Sequence, residues 1–219
     1  MNTKTNAISL KDLVYQGIIE QICSGKLTPD AIVTESQLIE TYGVSKSPVR
    51  EALIQLCAEG VLKSMPRYGY QVIQVSQKTI HDLTELRLYL ELGSLPKALD
   101  NMTEEKLVMF REKNEQRHLD PENRTVWTAW NNNLDFHLRL LDCAGNSQVT
   151  AVIQRAMATC RRFYAQAFLT QREAIAPIHS VSQHDIIVSA LEQHDLFSAH
   201  EALKKDIEQL EISLLNSPI

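Results

Sequence analysis

The apolar residues at the start of the chain recur at helical spacing. Four of them follow one another at intervals of four residues, so they share one face of a helix. Ser9 precedes this stripe and has an aspartate three residues after it, which is typical of a helix start. A glycine and a proline then end the segment. The stripe consists of Leu10, Val14, Ile18 and Ile22.

A second, two-turn helix is predicted from Thr34 to Tyr42. Thr34 and Gln37 have the spacing of a capping box, and Gly43 supplies the turn that ends the helix.

The third predicted helix occupies the segment between Gly43 and Gly60. Val49, Leu53 and Leu56 form its apolar stripe, and a proline in the first turn is tolerated because first-turn amides have no partner inside the helix. Ser45 stands at the cap position.

Two strand-like segments follow, at residues 61–65 and 70–75, and a Pro-Arg-Tyr-Gly turn joins them into a hairpin. From Thr79 onward the pattern is helix after helix. We therefore expect a mainly α protein with two domains, a head over residues 1–75 and an all-helical domain over residues 79–219. The helices of the second domain are predicted near residues 79–100, 103–118, 124–144, 147–174, 180–193 and 195–215.

The composition indicates the cellular compartment of the protein and the distribution of charge along the chain. No apolar segment is long enough to span a bilayer, and the N-terminus lacks the apolar core of a secretory signal. The four cysteines are far apart and form no C-x-x-C pair, which favours free thiols in a reducing cytoplasm. Residues 1–75 hold seven basic and seven acidic residues, so the net charge of -5 belongs to the remainder. A local basic face on the head is therefore compatible with an acidic protein.

The order of the first elements is that of a winged helix-turn-helix, in which the second helix of the pair enters the major groove. Lys46 and Arg50 lie one turn apart at the start of that helix. Its free amides and partial positive charge suit a phosphate, and Arg50 is the candidate for guanine recognition. The alternative is a small helical core element with solvated charges.

Several segments carry a resemblance to a known family. They are Ile22-x-x-Gly25-x-Leu27-x-Pro29, Glu35-x-x-Leu38, Gly43-Val-Ser-Lys-Ser-Pro-Val-Arg-Glu-Ala-Leu53 and Leu56-x-x-x-Gly60. Together they closely resemble the DNA-binding domain of the GntR family of bacterial transcription regulators. The resemblance implies DNA contacts by Ser45, Lys46, Ser47 and Arg50 in the helix and by Arg67 and Gly69 in the wing. Lys46 stands where the family commonly has arginine, Ser36 where some members have arginine, and Asp30 where glycine is usual.

The helical part resembles the FCD, or FadR-like, subgroup of that family. The resemblance rests on Glu85-Leu-Arg87-x-x-x-Glu91, Phe136-His137-x-x-Leu140 and His184-x-x-Ile187-x-x-Ala190-Leu191. It implies a homodimer that binds an effector inside the helical bundle, often beside a divalent metal held by one aspartate and three histidines. Arg87 then becomes a candidate partner for an anionic effector, the alternative being a salt bridge with Glu91 on the same helix.

The implied metal ligands depart from the family pattern at two positions. His137 and His184 match, whereas Asn133 replaces the aspartate one turn before His137, and Asp206 replaces the histidine of the last helix. An Asn/His/His/Asp set suits Zn²⁺, Ni²⁺ or Mn²⁺. The same residues could instead form a hydrogen-bonded polar core that binds an organic acid without metal.

The leading hypothesis is a DNA-binding transcription repressor that binds a palindromic operator as a homodimer and responds to a small organic acid. A metal-free regulator that binds a fatty acyl thioester is the first alternative. A metal-dependent hydrolase is a remote one, because H-E-x-x-H and G-x-S-x-G motifs are absent from the sequence.

Arg50→Ala is expected to abolish operator binding, since each bidentate base contact contributes about 1 to 3 kcal/mol. Lys46→Ala is expected to weaken binding to all sequences alike, because phosphate contacts carry no sequence information. Gel shifts on specific and scrambled duplexes measure both effects. An Arg50→Ala protein that still discriminates between the duplexes would contradict the assignment.

Overall fold

The computed structural model describes residues 9–119, 126–168 and 181–215. Within these residues the chain is mostly helical, with three short strands and a π-helical turn at Leu88–Leu92. The strands are β1 (Ile32–Val33), β2 (Leu62–Met65) and β3 (Gly69–Val72). The helices are α1 (Leu10–Cys23), α2 (Glu35–Tyr42), α3 (Lys46–Ala58), α4 (Gln77–Arg87), α5 (Gly93–Asp100), α6 (Glu104–Leu119), α7 (Val126–Ala144), α8 (Ser147–Phe168), α9 (Val181–Glu192) and α10 (Leu196–Leu215).

The chain forms two compact units. The first contains the residues up to Val75 together with the C-terminal end of α8 from Tyr164, and the second contains Ser76–Phe163 and the residues from Ala174 onward. Each unit has a hydrophobic core of its own. The mainly α fold class, with a small sheet in the N-terminal part, is confirmed.

The core of the first unit is built by α1, α2, α3 and the sheet. From α1 it receives Val14, Ile18 and Ile22, but Leu10 is 56% exposed, so the predicted stripe begins one turn later than expected. Leu10 is the first residue of α1. The apolar stripe of α3 is buried as predicted. These contacts fix α3 by its apolar side and leave its polar side exposed.

The helix ends follow the local sequence. The Ser9 hydroxyl accepts a hydrogen bond from the Asp12 amide at 3.1 Å. Thr34 and Gln37 form the predicted capping box, and Gly43 ends α2 in the left-handed conformation with φ of 63°. The turn between α2 and α3 is therefore set by short-range interactions.

The sheet has the antiparallel order β1-β3-β2. The β2-β3 hairpin confirms the predicted hairpin, although β3 ends at Val72 rather than at residue 75. Strand β1 was missed because two residues are too few to show an alternating pattern. Its pairing places Val33 opposite Tyr70.

The tip of the hairpin forms the wing. Its turn is closed by the Tyr68 amide, which donates to the Met65 carbonyl at 3.0 Å. Arg67 adopts a left-handed φ of 70°, a conformation that L-residues other than asparagine and aspartate seldom adopt. Gly69 has a φ of 124°, and a Cβ atom there would collide with the Val33 carbonyl oxygen. The close approach of β1 therefore requires glycine at position 69.

The single helix predicted over residues 79–100 is instead α4 and α5 joined by the π-helical turn. Arg87 at the end of α4 and Glu91 inside the turn are each only 2% exposed. π-helical turns of this kind are frequent at functional sites, and this one carries a buried carboxylate.

The other predicted helices agree with α6 to α10 within the described residues. The predicted ends near residues 124, 174 and 180 lie outside those residues. Apolar side chains of α5, α6, α7, α9 and α10 form the core of the second unit, among them Phe110, Phe136, Leu140, Leu191 and Leu203. Across the part of the chain that the structure describes, no helix combines the length and apolar character needed to cross a bilayer.

Gly69→Ala is expected to lower the free energy of unfolding by about 2 kcal/mol or more, because it adds a steric collision to a strained φ. Gly43→Ala is the matched control, since its φ is also positive but a Cβ atom there has open space. We expect about 1 kcal/mol for that control. Urea unfolding followed by circular dichroism measures both, and equal losses would show that the collision is relieved.

Candidate nucleic-acid interface and metal centre

The N-terminal turn of α3 is an exposed polar surface. Ser45, Lys46, Ser47 and Arg50 are all exposed, whereas Val49 between them is fully buried. The side chains of Lys46 and Arg50 are 58% and 55% exposed. The sequence interpretation required a helix with an accessible Arg50, and the structure has both.

The amides at the start of α3 are available to a ligand. Ser45 has the extended backbone of a cap residue, but its side chain makes no capping hydrogen bond. The Ser47 hydroxyl donates instead to Glu51 Oε1 at 2.9 Å. Since no side chain among the described residues is seen to cap these amides, the partial positive charge of the helix start faces outward, as an anion site requires.

The two cations of this turn share one carboxylate. Glu35, the first residue of α2, accepts a hydrogen bond from Arg50 Nε at 2.8 Å. Its other oxygen lies 3.5 Å from Lys46 Nζ. Arg67 and Gly69 lie in the wing turn, where Arg67 is exposed. Each wing and helix residue predicted from the sequence is thus on the first unit.

A second cluster of polar residues is buried in the helical unit. His137 on α7, His184 on α9 and Asp206 on α10 offer donor atoms that all lie within 4.8 Å of one another. Each of these residues is at most 1% exposed. The three helices therefore bring together three of the four predicted metal ligands. Asn133, one turn before His137 on α7, is 2% exposed.

His137 lies between two carboxylates. Its Nδ1 atom is 2.6 Å from Glu91 Oε2, and its Nε2 atom is 3.0 Å from Asp206 Oδ2. Burial alone would lower the pKa of His137, but these carboxylates raise it above its ordinary value. Burial alone would likewise raise the pKa of Glu91, but Arg87 and His137 hold it at about 2. Glu91 is therefore an anion.

The ring of His184 is fixed by stacking. Phe136 lies parallel to it, with ring centroids 3.8 Å apart and an interplanar angle of 8°. His184 Nε2 is 3.4 Å from Asp206 Oδ1. Asp206 therefore presents one oxygen to each imidazole, and His137 and His184 hold its pKa below the usual range against the opposing effect of burial.

Arg87 is part of this cluster. Its Nε donates to Glu91 Oε1 at 2.6 Å, and its Nη2 lies 3.3 Å from His137 Nε2. The salt bridge with Glu91, which the sequence left as an alternative, is present and buried. The single lone pair of His137 Nε2 can accept a guanidinium hydrogen, carry a proton or bind a metal ion. These three states exclude one another.

The donor set fits a divalent metal ion. It combines two imidazoles with a carboxylate, the ligands that Zn²⁺ and related ions prefer. Asn133 Oδ1 is buried and makes no hydrogen bond within the described residues, so it remains a possible oxygen donor. Glu91 would accept the Nδ1 hydrogen of a metal-bound His137, which is the usual arrangement around such ligands.

Sequence reasoning missed the roles of Glu91, Glu35 and Phe136. Glu91 was considered only as the partner of Arg87, although it also contacts His137 across the unit. Glu35 appeared only within a family motif. The single available signal was Glu91's place four residues after Arg87, since the remaining contacts join residues far apart in the sequence.

The family comparison covers most of the chain. The profile described as "Bacterial regulatory proteins, gntR family" matches residues 10–72, and the FCD domain profile matches residues 82–209. The chain belongs to the GntR family, with an FCD domain. Its relatives include HTH-type transcriptional regulators, and the matched family is one of regulators rather than of enzymes. The hydrolase hypothesis is therefore wrong.

Individual relatives are distant. HTH-type regulator YdhC of Bacillus subtilis is 28% identical over 141 residues, which are 64% of this chain and 63% of that protein. The transcriptional repressor RspR of Escherichia coli is 22% identical over 201 residues, 92% of this chain and 87% of that protein. The solved structure of E. coli McbR/YncC superposes with a TM-score of 0.76 at 22% identity and covers 93% of this chain and 95% of that chain. This last likeness supports the fold.

Arg87→Met is expected to lower the free energy of unfolding by about 3 to 5 kcal/mol, because it leaves Glu91 buried without its guanidinium partner. Adding Glu91→Gln should recover part of that loss. The measurement is a urea titration of the single and double variants.

Arg111→Met is the matched control for this prediction. Arg111 is also paired with glutamate, in its case with Glu104 and Glu192, but its side chain is 41% exposed, so its loss should be far smaller. Similar losses for Arg87 and Arg111 would show that burial does not strengthen the first pair.

Proposed function

We propose that the protein is a homodimeric repressor whose DNA binding is controlled by a small organic acid. In this proposal residues 1–75 bind DNA, and residues 79–219 bind the effector and form the dimer. The observation that carries the effector role is the buried group of His137, His184 and Asp206. A repressor role agrees with that of the relative RspR, a transcriptional repressor.

The DNA contacts are proposed at the exposed surface of α3 and at the wing. Arg50 would recognise guanine in the major groove, and Lys46 would contact a phosphate. Ser45 and Ser47, with the adjoining amides, would bind the phosphate backbone of the DNA. Arg67 and Gly69 would bring the wing to the neighbouring groove. Twofold symmetry of the homodimer then implies a palindromic operator.

The metal is proposed at His137, His184 and Asp206, with Asn133 as a further oxygen donor. Zn²⁺, Ni²⁺ or Mn²⁺ would suit these ligands. When bound, the ion supplies a positive charge and an open position for a carboxylate. The chain's own residues position it, since Phe136 stacks on one imidazole and Glu91 bonds to the other.

Charge supports a small anion as the effector. With His137 protonated, Arg87 and His137 balance Glu91 and Asp206. With a divalent ion held by these residues in place of the His137 proton, the cluster would carry one surplus positive charge, which a carboxylate would neutralise. Arg87, released from His137 Nε2, is the second partner for that carboxylate. The burial of every ligand favours a small molecule over a fatty acyl thioester.

Control of DNA binding requires a difference in affinity. The effector must bind one arrangement of the DNA-binding units in the dimer better than another, since equal binding to both would shift nothing. The regulator would act in the bacterial cytoplasm, where its operator is.

Protein purified without a nickel column is expected to hold about one divalent ion per chain, and His184→Ala is expected to lose it because one imidazole ligand is removed. The operator complex of the wild type should dissociate with one member of a panel of sugar acids and dicarboxylates. The His184→Ala protein should still bind the operator, but that acid should not dissociate its operator complex. Elemental analysis and fluorescence anisotropy measure these outcomes.

His200→Ala is the matched control, because the side chain of His200 is 43% exposed and lies in the same unit. It should retain both metal and response. Equal substoichiometric metal in wild type and His184→Ala would refute the metal. A response to acyl thioesters alone would favour the other regulator hypothesis.

A further inference from the structure

Glu35 is the first residue of α2 and lies beside the cations of α3. Its side chain is 22% exposed and lies against two more exposed cations of α3. The hydrogen bond from Arg50 is the main cause that lowers the pKa of Glu35, so the carboxylate is ionised at neutral pH. An anion thus lies within the surface that is proposed to meet DNA, where phosphates repel it.

The position of the Arg50 nitrogen that binds Glu35 determines which guanidinium hydrogens remain available for DNA. Arg50 donates to Glu35 through Nε, at 2.8 Å. Recognition of guanine O6 and N7 by arginine uses two parallel N–H groups. The guanidinium has five such hydrogens, and a contact through Nε leaves both terminal nitrogens available. Glu35 and a guanine can therefore bind the same guanidinium at the same time.

Lys46 differs from Arg50 in this respect. Its Nζ lies 3.5 Å from Glu35, and its side chain is 58% exposed. An exposed pair at this distance contributes little. An ammonium is also a point charge that can turn to a phosphate without losing a fixed geometry. Of the two contacts, the one to Arg50 is therefore the better suited to persist on DNA.

We propose that Glu35 is a positioning residue for sequence recognition, a role that rests on the proposed guanine contact of Arg50. It holds the guanidinium before DNA arrives, so that less rotamer entropy is lost on binding. Its negative charge also repels the DNA phosphates. At DNA sites where no base binds Arg50, nothing compensates for this repulsion, so binding there is weakened. Glu35 thereby lowers affinity for unrelated DNA while it raises affinity for the operator.

The contrasting role is an electrostatic lock, which here means that Glu35 competes with DNA. In that role Glu35 stays bound to Arg50 and Lys46 until DNA displaces it. The two roles predict opposite signs. If Glu35 is a lock, its neutralisation strengthens binding to every duplex. If it positions Arg50, neutralisation weakens operator binding and strengthens binding to unrelated DNA.

The test uses the full-length Glu35→Gln protein and fluorescence anisotropy at several salt concentrations. The duplexes are an operator selected from random DNA by the wild type and a scrambled duplex of equal length. We expect operator affinity to fall about tenfold, within the range of one impaired base contact. Affinity for the scrambled duplex should rise a few-fold, because a like charge is removed from the phosphates. A rise for both duplexes would overturn the proposal.

Two further variants exclude a general effect. Glu40→Gln changes the same charge on the same helix at an exposed position and should leave discrimination between the duplexes unchanged. Glu35→Asp keeps the charge but shortens the side chain, and it should lose operator affinity without a gain on scrambled DNA. Equal loss of discrimination in the Glu35→Gln and Glu40→Gln proteins would contradict a positioning role.

The Arg50→Ala background separates this inference from the proposed function. There, Glu35→Gln should cause no further loss of discrimination, because the positioned group is absent. If Arg50→Ala itself still discriminates, the guanine contact fails. If Arg50→Ala loses discrimination but Glu35→Gln does not, only the role of Glu35 is wrong.

Discussion

Mutual neutralisation allows a set of ionisable side chains to be buried in the interior of the helical unit. Arg87, Glu91, His137 and Asp206 are each at most 2% exposed. An isolated charge in that environment would cost several kcal/mol, whereas a paired and hydrogen-bonded one costs far less. Helices α4, α7 and α10 and the π-helical turn are tied together at this point. A change in the charge of any one of these groups must therefore be compensated by a change in the charge of another.

This constraint is the physical basis of the effector role proposed for the cluster. A fully apolar interior has no charge for a ligand to alter, but here the three mutually exclusive partners of His137 Nε2 leave different net charges. Exchange of one partner for another changes which of Arg87 and Asp206 remains engaged. Because the groups lie on α4, α7, α10 and the π-helical turn, an exchange of partners would alter contacts of several elements at once.

The surface of α3 that is proposed to bind DNA differs from this cluster in its exposure. Its cations are exposed, and their contacts with Glu35 are those of surface groups, which are weak in water. The apolar side of α3 fixes the position of the helix, and the polar side remains available. The left-handed backbone at Arg67 and the glycine requirement at position 69 are both confined to the wing, and the second of them follows from the close approach of β1.

Short-range interactions explain what the sequence alone determined. Helix caps at Ser9 and Thr34, the turn at Gly43, the apolar stripe of α3 and the β2-β3 hairpin each depend on residues within a few positions of one another, so their spacing is visible in the chain. The family motifs extended this to the mainly α fold and to a DNA-binding regulator. Candidate ligands were nominated by the same resemblance.

Tertiary structure decided the contacts between residues distant in the sequence. Glu91 with His137, Phe136 with His184 and Glu35 with Arg50 are pairs whose separation along the chain carries no periodic signal. The π-helical turn and the two-residue strand β1 were likewise invisible, since each is stabilised by its packing partner rather than by local preference. The sequence determined which segments could form helices and which residues were candidates for a site. Only the packing of those helices determined which charges meet, because burial leaves a charge stable only beside the partner that the fold supplies.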